Sequence, residues 1–403
     1  MLNFIPPLIY LIAIFIVYKQ VRTIYSLSVF IWALHLLSML SFWIKSDFFT
    51  GFENDYSFQG LMVMFWTLVL ITFPIVQFEK KLKKVEGIKG VSERKLKIVL
   101  WGLIGISMYA FVFFALNIPK VFALDIQDVR YGQIIFYEST IFSKIAVLGA
   151  FCSVYCIYIY FYCAATNSFP KARKYLLLSS TSFILYTLNV AGRDGIVIWL
   201  LSYIAGYFFF HRYLPVKQIK VTKSVLGAVL IITLPVLIFI TSSRFSDSSD
   251  KSSGFDSVLS YAGQALPNMS YAIDLTNKIH RRSGDGIFPI ALIREFTVGN
   301  ENRFVQMEED ALYGFRSNQF PSYVGFFYPS YPFYVLLIFV ILFNIVVVTS
   351  GKICRHKFDS VSFLPAYTWS MIPIVGIFYF YYGELIGNVF LILPFFIKMY
   401  LNK

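Results

Sequence analysis

A chain of 403 residues with 58% hydrophobic residues, 14% charged residues and a mean hydropathy of +0.67 does not have the composition of a water-soluble protein. The net charge of +13 would suit nucleic-acid binding if the basic residues formed one soluble face, but they are spread among short loops between apolar runs. Four cysteines are too few for a disulfide-rich secreted scaffold, and we interpret them as packing or incidental thiols. The composition predicts a polytopic membrane protein.

Apolar runs long enough to cross about 30 Å of hydrocarbon recur along the chain. The first has no basic residue before it and two after it, which is the reverse of a cleavable signal peptide. We predict an all-α transmembrane bundle with eight spans in residues 1–241, a large periplasmic loop at 242–331, and three spans with a cytoplasmic tail in 332–403. The eleven spans are placed at 2–18, 24–44, 60–78, 98–118, 141–163, 175–191, 195–210, 224–241, 332–350, 361–380 and 385–400.

Basic residues are concentrated in every second loop. One set of loops holds 22 of the 35 Lys and Arg residues but only four acids, a net charge of +18, whereas the rest of the chain has a net charge of −5. By the positive-inside rule this set is cytoplasmic, which predicts a periplasmic N-terminus and a cytoplasmic C-terminus in the bacterial inner membrane. The set comprises residues 19–23, 79–97, 164–174, 211–223, 351–360 and the tail from Lys398.

The external loop at residues 242–331 is 90 residues long, and loops of that size without function are uncommon. Its semi-apolar segments at 255–278 and 287–296 are too short and polar to span, so we predict amphipathic helices on the outer membrane surface. Arg outnumbers Lys six to two in this loop, and guanidinium suits bidentate binding of phosphate. The arginines are Arg244, Arg281, Arg282, Arg294, Arg303 and Arg316.

A second candidate site is the motif AGRDG, Ala191 to Gly195, between two short predicted spans on the external side. Its glycines permit a tight turn, and the turn opens a helix whose N-terminus favours an anion. We therefore predict that Arg193 binds phosphate at the depth of the lipid headgroups, and the same argument applies to Arg244. The alternative is a side chain that extends to the interface or, for Arg193, one that pairs with Asp194.

Signals for other chemistry are weaker. Asp125 and Asp128 suit a solvated turn better than a metal pair, and we predict no metal and no cofactor. His280 is a candidate general base, because two neighbouring arginines favour its neutral, proton-accepting form; an exposed loop histidine is the alternative. Glu384 is a second candidate, because burial among aromatic side chains suits proton transfer; a cap on the last span is the alternative.

Aromatic residues form 19% of the chain, and most suit lipid-facing positions and interfacial belts. The clusters YPSYPFY and FYFYYG, however, lie on the predicted external side near candidate arginines, where their rings could stack against sugars. The residues assigned to sugar stacking are Tyr261, Tyr328, Tyr331 and Tyr382.

Taken together, these features resemble the O-antigen polymerases, also called Wzy or oligosaccharide repeat-unit polymerases. The chain has ten or more predicted spans, a GR turn at Gly192 that opens a span, and an SR pair at Ser243 at the outer end of the next one. The single large external loop begins with a predicted helix containing YAGQALPN from Tyr261. It ends in FRSNQFPSYVGFFYPSYPFY from Phe315, which leads into an aromatic-rich span.

The resemblance implies a bacterial inner-membrane glycosyltransferase that joins polyprenyl-diphosphate-linked repeat units into a surface polysaccharide on the periplasmic face. Arg303 and Gly314 have the spacing of an Arg, ten residues and a Gly that is described for the family's external loops. The implied partners are the lipid-linked donor and acceptor and membrane lipid, with a chain-length regulator left open and no nucleic acid. Diphosphate binding is implied for Arg193, Arg244, Arg281, Arg282, Arg303 and Arg316.

The main alternative is a lipid-linked oligosaccharide flippase or another transporter. Such proteins are expected to have repeated halves, short loops on both sides and charges inside the bundle. This sequence has no apparent internal repeat, its charges avoid the centres of the predicted spans, and one external loop holds most of the candidate polar chemistry. A polymer ligase or an O-acyltransferase is a further alternative, but an acyltransferase should have a functional span histidine, and we predict that His35 packs in the bundle.

Overall fold

A computed structural model of the protein describes residues 5–44, 58–123, 140–190, 192, 194–245, 262–278, 322–330, 333–354, 356–377 and 385–402. Within these ranges the chain is mostly helical and has only three strands, each of two residues. The predicted all-α class is thereby confirmed.

The helices and strands follow one another along the chain in this order. They are α1 (Ile5–Val21), α2 (Leu27–Ile44), α3 (Phe58–Leu82), β1 (Gly87–Ile88), α4 (Glu93–Ala115), α5 (Ile118–Phe122), α6 (Ile141–Phe151), α7 (Ser153–Ala165), α8 (Pro170–Ser179), α9 (Ser182–Leu188), α10 (Asp194–Phe210), a 3-10 turn (His211–Tyr213), α11 (Val216–Phe245), α12 (Ala265–Lys278), α13 (Ser322–Ser330), α14 (Phe333–Ser350), β2 (Ile353–Cys354), β3 (Lys357–Phe358), α15 (Ser360–Val375) and α16 (Leu385–Asn402).

Each of the eleven predicted apolar runs is helical over most of its described length. The helices α1, α2, α15 and α16 contain apolar segments of only 10 to 17 residues, and the pair α6 and α7 would count as a fifth long span if the two act together. The number of eleven spans is therefore not confirmed. Within the described residues, four helices are long and apolar enough to cross a membrane: Gln59–Leu82, Glu93–Val121, Asp194–Tyr213 and Phe333–Ser350.

Two of the predicted spans are broken helices. The helix α6 ends at Phe151 and α7 begins at Ser153, with a bend of 41° between them. The helices α8 and α9 separate where Ser179, Ser180 and Thr181 each donate a hydroxyl to the backbone carbonyl three residues earlier. Such bonds compete with the regular helical pattern. The run LSSTS thus contained a break signal that the high average hydropathy of the predicted span concealed.

The chain divides into two compact units, which are described separately. Unit 1 comprises Met1–Lys84, Asp256–Gly351 and Pro365–Ile392, and unit 2 comprises Val85–Phe255, Lys352–Leu364 and Leu393–Lys403.

In unit 1, aromatic side chains hold α1, α2 and α3 together. The rings of Tyr10, Trp32 and Phe65 meet edge to face with centroids 5.5 to 5.7 Å apart. Trp32 Nε1 donates to Thr72 Oγ1 at 3.0 Å. His35 is fully buried, and its Nδ1 lies 2.8 Å from a carbonyl of its own helix. The prediction that His35 packs inside the bundle is confirmed.

One face of α3 in unit 1 holds the connection between α1 and α2. The buried carboxylate of Glu79 accepts hydrogen bonds from Ser26 Oγ at 2.8 Å and from the Leu27 amide at 2.6 Å, at the positive N-terminus of α2. Lys83 donates to the Gln20 carbonyl near the negative C-terminus of α1 at 2.6 Å. Glu79 near the end of α3 and Lys83 directly after it thus bind the two helix ends at once.

In unit 2, a small sheet joins segments that are far apart in the chain. Strand β3 pairs in parallel with β1 and antiparallel with β2. Lys89 Nζ lies 3.3 Å from Asp359 Oδ2, and Asn402 Nδ2 donates to Ser362 Oγ at 2.9 Å. Segments from two predicted cytoplasmic loops and from the C-terminal tail therefore lie together in unit 2.

The helix α7 lies at the centre of unit 2, because every residue from Ser153 to Ala164 is buried. A helix that is apolar all round is typical of such a position. Aromatic rings fill the space around it: Trp199 and Tyr203 stack with centroids 5.0 Å apart, and so do Phe209 and Phe363 at 4.7 Å. Three of the four cysteines are buried in this region, in agreement with a packing role.

Candidate functional site

Most residues predicted for the site lie outside the residues that the structure describes. The structure includes the helices that contain Arg244 and Tyr328, α11 and α13, but not these two side chains. Two features near these residues in the chain are therefore described, each within its own unit: the turn before α10 in unit 2 and the helices of the long loop in unit 1. The predicted residues outside the described ranges are Arg193, Arg281, Arg282, Arg303, Arg316, His280, Glu384, Tyr261, Tyr331 and Tyr382.

The turn between α9 and α10 is formed by a very close approach of the two helices. The Gly192 amide donates to the Thr187 carbonyl at 2.7 Å. A Cβ atom added at Gly192 would lie 2.9 Å from that carbonyl oxygen, and one added at Gly195 would lie 2.8 Å from the Phe183 carbonyl oxygen. Neither position has room for a side chain unless the backbone moves.

Two polar side chains fix this helix hairpin to its surroundings in unit 2. Asn189 Nδ2 donates to the Leu185 carbonyl at 2.8 Å and to the Phe114 carbonyl of α4 at 3.0 Å. On the α10 side, Trp199 Nε1 donates to Ser180 Oγ at 2.8 Å. The turn is thus attached to the end of α4, a segment that the charge pattern assigns to the same external side.

The helix α10 begins at Asp194, so the predicted opening of a helix directly after the AGRDG turn is confirmed. The N-terminus of a helix of 17 residues carries partial positive charge and unpaired amides, which favour an anion. The Asp194 carboxylate lies over Gly192, with Oδ1 2.6 Å from the position of an added Cβ. An anion that binds here meets one native carboxylate, and a cation at position 193 would offset that charge.

The first helix of the long loop packs inside unit 1. The helix α12 contacts α2, α3 and α13, and its fully buried residues include Ala265, Met269, Ser270 and Ile273. This corrects the prediction of an amphipathic helix on the outer membrane surface for the segment 255–278, of which residues 255–261 lie outside the described ranges. Small side chains on several faces of α12 allow neighbouring helices to approach closely, which an average of polarity does not reveal.

The approach of α12 to the bundle is specific at two points. A Cβ atom added at Gly60 of α3 would lie 2.8 Å from Ser270 Cα, so only glycine fits at this crossing. Ser38 Oγ of α2 donates to the Ala262 carbonyl, just before α12, at 2.5 Å. A helix from the long loop is thereby bound to two of the first three helices of the chain.

The second helix of the loop, α13, is attached to the same unit. Its first residue, Ser322, has a left-handed backbone with φ of 62°, and the next amide, of Tyr323, donates to the Gly376 carbonyl at 2.7 Å. Tyr323 and Phe327 are fully buried, and Phe327 stacks on Phe339 of α14 with centroids 4.8 Å apart.

Because α12 and α13 contact each other, the segment of residues 279–321 begins and ends at one helix pair of unit 1. Sequence reasoning missed this arrangement. The signal was the apolar spacing of Ala265, Met269, Ala272 and Ile273, which follows the pattern of a packed helix.

The described residues thus provide a helix N-terminus at a tightly closed turn in unit 2 and, in unit 1, the two packed helices α12 and α13, which precede and follow residues 279–321 in the chain. The functional conclusion rests on the residues of the chain itself. Comparisons of the chain with protein-family models, with curated proteins and with solved structures give no match.

Proposed function

We propose that this protein is a membrane glycosyltransferase that polymerises polyprenyl-diphosphate-linked oligosaccharide repeat units into a surface polysaccharide of the O-antigen or capsule type. In this proposal the chain has eleven spans, a periplasmic N-terminus and a cytoplasmic C-terminus, and it acts on the periplasmic face of the inner membrane. It uses no metal or cofactor.

The observation that carries the proposal is the attachment of the long loop. Residues 279–321 contain His280 and four of the six arginines assigned to the diphosphate, Arg281, Arg282, Arg303 and Arg316. The segment begins and ends at α12 and α13, which are buried and in mutual contact. A loop fixed at both ends restricts where its side chains can be, and catalysis requires such restriction. A flexible tether between spans would not need buried helices at its base.

The chemistry needs only groups that this chain carries on its predicted external side. An acceptor hydroxyl attacks the anomeric carbon of the donor, the bond from that carbon to the diphosphate oxygen breaks, and polyprenyl diphosphate leaves. The hydroxyl proton goes to a base, for which His280 and Glu384 are the candidates. Negative charge develops on the leaving diphosphate, and preorganised guanidinium groups such as Arg193 and Arg244 stabilise it.

The test is polymerisation by purified protein in detergent, with authentic lipid-diphosphate-linked repeats, a chelator and no membrane gradient. We expect a ladder of longer chains. Arg193→Ala and Arg244→Ala should each lower the rate by about 10²-fold or more, as loss of a transition-state donor does, and Lys should restore only part of it because it lacks the bidentate fork. Arg294→Ala is the matched control, since Arg294 lies in the long loop but has no assigned role.

A flippase cannot produce a ladder, because its product is chemically identical to its substrate. Well-folded protein that gives no ladder with authentic substrate would overturn the proposal and favour transport. A ladder that persists unchanged in both Arg variants would leave polymerisation standing and remove these two residues from the site.

A further inference from the structure

Arg173, in the first turn of α8, is a cationic side chain turned into unit 2. It is only 9% exposed, whereas Lys171 and Lys174 of the same turn are exposed. A long cationic side chain near a helix end normally extends to water. The neighbouring lysines do so, and the burial of Arg173 therefore requires a separate explanation.

No protein group among the described residues compensates this charge. Arg173 forms no ion pair with any described carboxylate, and its buried Nη1 has no hydrogen-bond partner among the described residues. The loops at 164–174 and 211–223, which lead into α8 and α11, together hold seven basic residues and no acid. Burying an unpaired charge costs a large amount of free energy, and buried charges in proteins are therefore normally paired with an opposite charge.

The surroundings of Arg173 in unit 2 contain several polar side chains on neighbouring helices. Ser179 Oγ lies 3.7 Å from Cys156 Sγ, which aligns the buried face of α8 with one face of α7. Tyr160 lies one turn further along that face of α7 and interacts electrostatically with Arg173. The side chain of Tyr203 on α10 is fully buried and lies beside Tyr160, and the hydroxyls of these two tyrosines interact with each other and with Thr222 on α11.

We infer that Arg173 binds a phosphate group at this end of unit 2, beside the hydroxyls of Tyr160 and Tyr203, and that this group is either the phosphodiester of a membrane lipid headgroup or free phosphate. Guanidinium binds phosphate through two parallel hydrogen bonds, and the basic loops nearby attract an anion. This site lies beyond the proposed function: α8 and α9 separate it from the AGRDG turn, and its loop belongs to the set predicted to be cytoplasmic.

The experiment measures the midpoint of thermal unfolding of the full chain in a neutral detergent at fixed ionic strength, so that general screening is constant. Three additions are compared: inorganic phosphate, phosphatidylglycerol and phosphatidylcholine. For the native protein we expect a rise of about 3 °C or more with phosphatidylglycerol at concentrations well above Kd. A similar rise with inorganic phosphate would show that the free anion is sufficient for binding. A rise with phosphatidylglycerol but not with inorganic phosphate would show that the site binds the lipid headgroup.

Arg173→Met keeps the length of the side chain and removes its charge, and Lys174→Met is the matched control on the exposed side of the same turn. We expect the control to keep the full rise and Arg173→Met to lose it. Without any added anion, Arg173→Met should unfold at a higher temperature than the native protein, because an apolar side chain replaces an unpaired buried cation. If Arg173 only stabilised the fold, Arg173→Met would unfold at a lower temperature than the native protein.

Three results would overturn the inference. They are an unfolding midpoint of the native protein that rises with neither inorganic phosphate nor phosphatidylglycerol, an equal rise of the midpoint in Arg173→Met, and an equal loss of the rise in Lys174→Met. Should the Met variant not fold, Arg173→Gln takes its place under the same criteria. Arg173→Lys keeps the charge without the planar fork, and it should retain part of the rise.

Discussion

The turn between α7 and α8 and the turn between α9 and α10 both reverse the chain in unit 2, but different forces fix them. The first is closed by hydrogen bonds: the Asn167 amide donates to the Ala164 carbonyl at 3.4 Å, and the Ser168 amide donates to the Cys163 carbonyl at 2.9 Å. With Asn167 in the left-handed region at φ of 52°, these bonds form a Schellman closure of α7. No glycine is used.

The second turn contains two nearby glycines, yet Gly192 does not have a left-handed backbone. Its role, and that of Gly195, is to leave space for the backbone of α9, in particular the Thr187 and Phe183 carbonyls. The second turn therefore needs glycine for packing and not for backbone conformation. Because the first turn depends on a left-handed residue instead, the two turns should respond differently to the same substitution.

The largest effect is expected at Gly195. Gly195→Ala places a Cβ atom 2.8 Å from the Phe183 carbonyl oxygen and 2.0 Å from Thr187 Oγ1, so α9 and α10 must move apart. We expect the free energy of unfolding to fall by about 2 to 3 kcal/mol. Gly227→Ala in α11 is the control, because nothing lies within 4 Å of the added atom, and it should be neutral or stabilising. Thermal unfolding in detergent compares the two, and equal midpoints would contradict the packing role.

A smaller decrease in the free energy of unfolding is expected when Asn189, which attaches the second turn to α4, is replaced. Asn189→Ala removes the donor of two hydrogen bonds and leaves the buried Phe114 carbonyl with one bond fewer. The expected cost is about 1 to 2 kcal/mol in unfolding free energy. Asn117→Ala removes one bond at a partly exposed position and should cost less. If the two variants unfolded at the same temperature, the attachment to α4 would be unimportant.

The smallest effects are expected at the first turn. Asn167→Gly keeps the left-handed conformation without strain and should change the free energy of unfolding by less than about 0.5 kcal/mol. Asn167→Ala should cost about 1 kcal/mol, because alanine adopts this region less readily. The difference between the unfolding free energies of the two variants, measured by thermal unfolding, gives the cost of the left-handed backbone for a residue with a Cβ atom. A larger loss with Gly than with Ala would show that the side chain of Asn167 matters more than its φ angle.

The candidate site was predictable in part. The AGRDG motif correctly indicated a turn that opens a helix at Asp194, because glycine spacing and helix start signals are local. The burial of α12 was not predicted, since it depends on Gly60 and Ser38, which precede α12 by about two hundred residues of sequence. The buried Arg173 was counted only as one of three basic residues in its loop, because composition cannot distinguish a cation that faces water from one that faces the core.

The all-α class and the concentration of basic residues in every second loop could be inferred from the amino-acid pattern. Apolar runs become helices because each backbone group must be paired within its own segment, and loop charge follows the composition of short segments directly. The positions of the helix breaks, such as Ser179 to Thr181, were visible only in the three-dimensional structure. The same is true of the close helix contacts and of the buried charged side chains. These features depend on contacts of a few ångströms between residues far apart in the chain, and a one-dimensional pattern does not contain such distances.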